Sequence, residues 1–148
     1  MFRSKNIQQK KMPIRITIQS IRKPINKNLD EDLRWLCSSL GFCNQKQKHT
    51  GNKVFTTLLK KNKKGVNPTS TELAEEIGMS RGAVIHQLNR LKETGLISKD
   101  GRSYRLRETN LTNTLKEMER DMKRLFEDLE DIAAELDEEI GFKTRQRR

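Results

Sequence analysis

The period of the apolar positions changes several times along this chain, and each change predicts an element. Ile14, Ile16 and Ile18 alternate with Arg15, Thr17 and Gln19, the two-residue period of a short strand. Such a strand could pair with a hairpin elsewhere in the chain or with a second subunit. From Asp30 to Leu40, LDEDLRWLCSSLGF places Leu33, Leu36 and Leu40, with Trp35 and Cys37, on a broad apolar side. Acidic residues at its start and Gly41 at its end fit a helix. After a polar loop, Thr50 can cap a helix running to Lys61, with Val54, Phe55, Leu58 and Leu59 facing inward. Lys60-Lys61-Asn62-Lys63-Lys64-Gly65 then reads as a solvated connection able to meet phosphate.

Residues 69–107, TSTELAEEIGMSRGAVIHQLNRLKETGLISKDGRSYRLR, are the most informative stretch. Pro68 precedes Thr69, and Thr69 with Glu72 has the spacing of a capping box, in which each side chain serves the other's backbone amide. Leu73, Ala74 and Ile77 recur at helical spacing, and Gly78 can take the left-handed conformation that ends a helix. Ser80 is a good N-cap for a second helix. Val84, Leu88 and Leu91 lie within about 60° of one another at about 100° per residue and form its buried stripe. Gly95 stops it. Leu96 and Ile97 begin an extended run, Asp100-Gly101 is a type I′ hairpin signal, and Ser103–Arg107 alternates polar residues with Tyr104 and Leu106. Helix, tight turn, helix and hairpin follow in order.

In the ELAEEIG helix, the SRGAVIHQLNRL helix, the ETGLI exit and the KDGRSYRL hairpin, the chain resembles the winged helix-turn-helix regulators of bacteria and archaea, broadly the ArsR and MarR kinds. The resemblance covers roughly residues 50–107. It implies that the helix at 80–94 lies in a DNA major groove and that the hairpin, the wing, tracks phosphate or minor groove. The fold class expected is mainly α with a small β-hairpin wing, followed by a long C-terminal coiled-coil helix.

The wheel that buries Val84, Leu88 and Leu91 points Gly82, His86 and Asn89 outward. Ile85 and Arg90 flank that face, and Ser80 and Arg81 stand at its start. Asn and Arg can read adenine and guanine edges bidentately, and Ile85 can touch a thymine methyl. Gly82 lets a backbone approach closely. In the wing, Arg102 at the tip with Lys99, Arg105 and Arg107 suits phosphate better than bases. On this reading Arg90→Ala relaxes sequence preference, whereas Arg102→Ala weakens all sequences alike.

A second signal runs from residue 111 to 136. Leu111, Leu115, Met118, Met122, Leu125, Leu129, Ile132 and Leu136 are spaced alternately four and three apart. This 3.5-residue period keeps one seam facing a partner over about 39 Å at about 1.5 Å per residue. A helix folded back on its own domain would give the same stripe. Dimerisation is the expected use, because the whole stripe needs cover and the domain is small. With Leu115 at heptad position a, the e and g positions include Glu119, Asp121, Asp128 and Glu135 and no base. A parallel pair would therefore repel; an antiparallel pair, or packing on helix 30–40, fits better. Phe126 and Ala133, also at e, widen the seam.

Charge sharpens the picture. The 148 residues carry 31 Lys and Arg against 20 Asp and Glu, a net of +11. Residues 1–114 hold 23 basic and 9 acidic residues, +14; residues 115–142 hold 4 and 11, −7; the last six residues restore +4. A body so positive attracts polyphosphate with salt-dependent affinity. The acidic helix belongs away from DNA and could instead seek a basic protein partner.

Other chemistry is thin. Cys37, Cys43 and His49 lack the tight spacing of a structural zinc site, and two cysteines make no disulfide framework. No phosphate loop, nucleophile elbow or zincin motif occurs, so no catalysis, metal or cofactor is expected. No apolar run is long enough to span a bilayer, and the basic start MFRSKNIQQKK is not followed by a signal-peptide core. A cytoplasmic protein is expected. At 32% hydrophobic residues, part of the chain must be extended, exposed or dependent on a partner for burial.

The expected organisation is a basic arm with a short strand (1–28), a winged helix-turn-helix domain (29–107, core 50–107), an acidic dimerisation helix (108–142) and a basic tail (143–148). The expected function is sequence-specific binding of double-stranded DNA by a dimeric transcription regulator. The other class it would suit is a winged-helix protein-interaction module of basal transcription, replication or chromatin machinery. With seven aromatic residues and no stacking platform, RNA fits less well.

Overall fold

The computed structural model describes residues 14–42 and 50–143. The basic arm at 1–12, Cys43, His49 and nearly all of the basic tail lie outside the described residues. Five helices and one hairpin follow in order: α1 (Leu29–Ser39), α2 (Thr50–Lys63), α3 (Ser70–Ile77), α4 (Arg81–Thr94), β1 (Ile97–Asp100), β2 (Ser103–Leu106) and α5 (Leu111–Ile140). The fold is mainly helical with an antiparallel wing, as the patterns predict.

The local signals work as their chemistry requires. Thr69 Oγ1 accepts from Glu72 N at 3.1 Å while Thr69 N donates to Glu72 Oε1 at 2.9 Å, completing the capping box of α3. The Glu72 carboxyl is lowered from its ordinary pKa, first by the hydrogen bond it accepts from the Thr69 backbone amide and second by the nearby Thr69 hydroxyl. Ser80 Oγ accepts from Ala83 N at 3.1 Å and caps α4. Behind the α3–α4 pair, α2 supplies Val54, Phe55 and Leu58, all fully buried against Leu73, Val84, Leu88 and Leu91. Phe42, just after α1, meets Phe55 edge to face at 5.7 Å.

The wing pairs Ile97 with Leu106 and Asp100 with Ser103, so its two-residue loop is Gly101-Arg102, one position later than Asp100-Gly101. Gly101 supplies the positive φ of 62° that a tight hairpin needs. Tyr104 N donates to Pro68 O at 2.9 Å, and Thr69 bridges Ser103, so the segment leading into α3 lies against β2. The lysine-rich connection is also different. Helix α2 continues to Lys63, and Asn62 works as a clamp rather than as part of a solvated loop. Its Oδ1 accepts from Leu106 N at 2.9 Å, and its Nδ2 donates to Val66 O, Asn67 Oδ1 and Tyr104 O.

Residues 14–18 do not form the expected strand. They run irregularly, with Arg15 N donating to Glu93 O and Gln19 N to Ser39 O, both at 2.8 Å. The carbonyls at a helix C-terminus lack intrahelical partners, and this segment satisfies two such groups, at the ends of α4 and α1. The outer edge of β2 is taken by the Pro68–Thr69 segment rather than by residues 14–18.

Helix α5 is joined to the domain at one strong point. Arg107, at the end of the wing, donates to Asp121 Oδ2 at 2.5 Å and to Oδ1 at 3.3 Å. Asp121 is 6% exposed, and its hydrogen bond is the main reason the Arg107 guanidinium is held more firmly protonated than usual. Gly95, which ends α4 at φ 86°, lies beneath: a Cβ there would stand 2.9 Å from Arg107 Nη1. Thr114, Met118 and Asp121 are the buried residues of α5, all in its first half.

Asp121→Ala would leave the guanidinium without its carboxylate in a partly buried place. The expected cost is about 2–3 kcal/mol, read from urea unfolding; a loss under about 1 kcal/mol would mean that the pair is not structural. The Glu72 cap predicts a pH dependence. A carboxylate whose folded pKa is depressed stabilises above its unfolded value and loses that contribution as pH falls through the folded one. The stability difference between the native chain and Glu72→Gln should therefore shift from neutral pH to below about pH 4, and a flat difference would count against the cap.

Candidate nucleic-acid interface

A concavity opens where the N-terminus of α3, the outer face of α4 and the wing meet. It is lined by Thr69, Ser70, Thr71, Arg81, Ile85, Asn89, Lys99, Arg102 and Tyr104. Each wall has a separate cause. The capping box stops α3 at Thr69 and engages the amide of Glu72, while the first amides of any helix have no intrahelical acceptor, so this end is electropositive. The buried stripe of α4 turns Arg81, Gly82, His86 and Asn89 to solvent and leaves Ile85 half-buried. The hairpin register pairs Lys99 with Tyr104, and Lys99 Nζ lies 5.7 Å from the Tyr104 ring centre.

Three cations, Arg81, Lys99 and Arg102, line this surface and no carboxylate does. Fixed positive charge in a concave, partly apolar setting attracts polyanions and can hold one in register. Gly82 meets nothing within 4 Å of an added Cβ, so the exposed turn of α4 is open to close approach.

The residues expected from the sequence separate here. Arg81, Ile85, Asn89, Lys99 and Arg102 converge on the concavity, and Gly82 and His86 are exposed on the same helix. Ser80 sits at the helix start with its hydroxyl in the cap. Arg90 is half-buried and turned back, its Nη2 donating to Gly41 O at 2.9 Å, beyond the end of α1. Arg105 lies beside Asn62, Lys63 and Asn67, on the α2 side of the wing. Arg107 is bound to Asp121. Thr71 and Tyr104 join the concavity without having been singled out. The Pro-Thr-Ser-Thr run was a signal for Thr71, since a capped helix start ahead of a reading helix presents its first turn to the same ligand.

Among the described residues, no group of three or more His, Cys, Asp or Glu could hold a metal, and no helix is long and apolar enough to cross a membrane. Cys37 Sγ lies 3.4 Å from Asn52 Oδ1 in the α1–α2 contact.

This arrangement of helices, turn and wing is a winged helix-turn-helix, the reading module of DNA-binding transcription regulators. Residues 59–99, from the second half of α2 into β1, match the family model described as bacterial regulatory protein, arsR family. No curated protein and no solved structure matches the chain.

Arg90 and Asn89 should separate stability from surface chemistry. Arg90→Ala removes a donor from the Gly41 carbonyl and should cost about 1 kcal/mol in thermal unfolding. Asn89→Ala, on the exposed face, should stay within about 0.5 kcal/mol of the native chain. Equal stabilities for the two variants would mean that Arg90 is not a packing residue.

Proposed function

We propose that the protein is a sequence-specific regulator that binds double-stranded DNA as a dimer, with α4 in the major groove and the wing on the backbone. The observation that carries this reading is the convergence of Arg81, Ile85 and Asn89 from α4 with Lys99 and Arg102 from the wing on one concavity. The family match over residues 59–99 supports the same use. In this docking, Asn89 and Arg81 face base edges, Ile85 meets a thymine methyl, and His86 and Gly82 lie closest to the groove floor. Arg102, Lys99 and the first turn of α3 at Thr71 meet phosphates, which set orientation without reading sequence. Arg90, Arg105 and Arg107 are assigned instead to holding the domain together or to its α2 side.

A dimer presents two copies of α4 to half-sites about one helical turn, roughly 34 Å, apart, so the operator is an inverted repeat. Incubation with a random duplex library near physiological salt, followed by sequencing of the retained DNA, is expected to enrich such a repeat. Asn89→Ala should lose selectivity at one position of each half-site, at about 1–3 kcal/mol, while Arg102→Ala should weaken all sequences similarly and flatten the salt dependence. Retention without any motif would overturn the sequence-reading assignment and favour an architectural or machinery role.

A further inference from the structure

The apolar seam of α5 is covered by its own domain only at the start. Met118 is 4% exposed, whereas Leu125, Phe126, Leu129, Ile132, Leu136 and Ile140 are 41–65% exposed. Beside the covered part is an apolar groove. Ile16, Ile18 and Leu40 form one wall, Leu115, Met118 and Met122 the other, with Lys116 at the edge. The irregular path of residues 14–18, held to the ends of α4 and α1, builds the first wall.

We propose that this groove receives the C-terminal half of α5 from a second copy of the chain, so that the two long helices pair antiparallel. The proposal rests on the dimer reading above and adds its direction, its register and the site it fills. Charge selects the direction. Residues 111–124 carry Lys116, Arg120, Lys123 and Arg124 against Glu117, Glu119 and Asp121, and Asp121 is already bound to Arg107. Residues 125–140 carry Glu127, Asp128, Glu130, Asp131, Glu135, Asp137, Glu138 and Glu139 and no base. A parallel pair sets these acidic halves side by side. An antiparallel pair sets each against the partner's basic half and the positive body around it.

The seam selects the register. Antiparallel coiled coils place an a residue opposite a d residue, and one alignment does this for every seam position: Leu111 opposite Leu136 of the partner subunit, Leu115 opposite the partner's Ile132, Met118 opposite the partner's Leu129 and Met122 opposite the partner's Leu125. Sliding by one heptad in one direction sets Leu115 opposite the partner's Glu139; in the other, Ile132 falls opposite the partner's Glu108, outside the helix. The fitting alignment lowers the exposed apolar half of each α5 onto the groove of the other copy. Phe126 and Ala133, on the flank of the seam, widen that contact on the side that carries Thr112 and Glu119.

Two differently tagged full-length chains, Leu115→Cys and Ile132→Cys, are mixed without DNA and oxidised, and the joined peptides are mapped. The native chain treated alike sets the background from Cys37 and Cys43. A disulfide joining position 115 of one chain to 132 of the other, at least tenfold above that background, is the expected result. Like-to-like disulfides, 115 to 115 and 132 to 132, would overturn the antiparallel pairing while leaving the dimer. A dimer in sedimentation with no disulfide at either position would remove α5 from the interface. A native chain that sediments as a monomer at micromolar concentration would overturn both the pairing and the dimer it rests on.

Discussion

The bond between Arg107 and Asp121 ties together parts of the chain that otherwise have separate reasons to fold. Arg107 N also donates to Leu96 O at 3.0 Å, so one residue joins the end of the wing, the exit of α4 and the first half of α5. Glycine at 95 is required twice over there, by a φ of 86° and by the guanidinium that would crowd any Cβ. The consequence is mechanical. The long helix is tied to the wing through a charged contact with a nearly dry carboxylate, where geometry is more tightly held than in a surface ion pair.

A similar economy positions the concave surface between α4 and the wing. Asn62 holds β2 through Leu106 N, and the Pro68 carbonyl holds it through Tyr104 N, so the wing is fixed to the end of α2 and to the start of α3. A two-stranded hairpin alone is marginal in water. These outside bonds give Lys99 and Arg102 a defined place relative to α4.

Much of this was legible from local signals. The capping box at Thr69, the N-cap at Ser80, the stops at Gly78 and Gly95 and the apolar stripe of α4 each depend on residues within a few positions of one another. Signals of that range survive in a bare sequence. The exposed face of α4 followed from the buried one, which is why Arg81, Ile85 and Asn89 could be grouped on one side of it from sequence. The arginines at 90, 105 and 107 were not separable in the same way. All are long, charged and adjacent to the expected surface, and what distinguishes them lies far along the chain: Arg90 has Gly41 and Arg107 has Asp121 as partners, while Arg105 stands on the side of the wing that faces the end of α2.

Alternation at Ile14, Ile16 and Ile18 suggested a strand because the period of two is real, but the backbone of this segment bonds the ends of α4 and α1 instead of a strand, a choice made only in the packed chain. The hairpin slipped by one residue for a related reason: Asp-Gly marks a turn, whereas register is settled by which side chains the core accepts, here Ile97, Tyr104 and Leu106. By itself, then, the sequence determined the five helices and the hairpin, the caps at Thr69 and Ser80, the exposed face of α4 and the uneven charge, since these arise from neighbours along the chain. The tertiary structure alone decided which cations face outward, where residues 14–18 run and how much of the α5 seam stays uncovered. Each of those depends on groups brought together from distant positions, whose contacts exist only once the chain has packed.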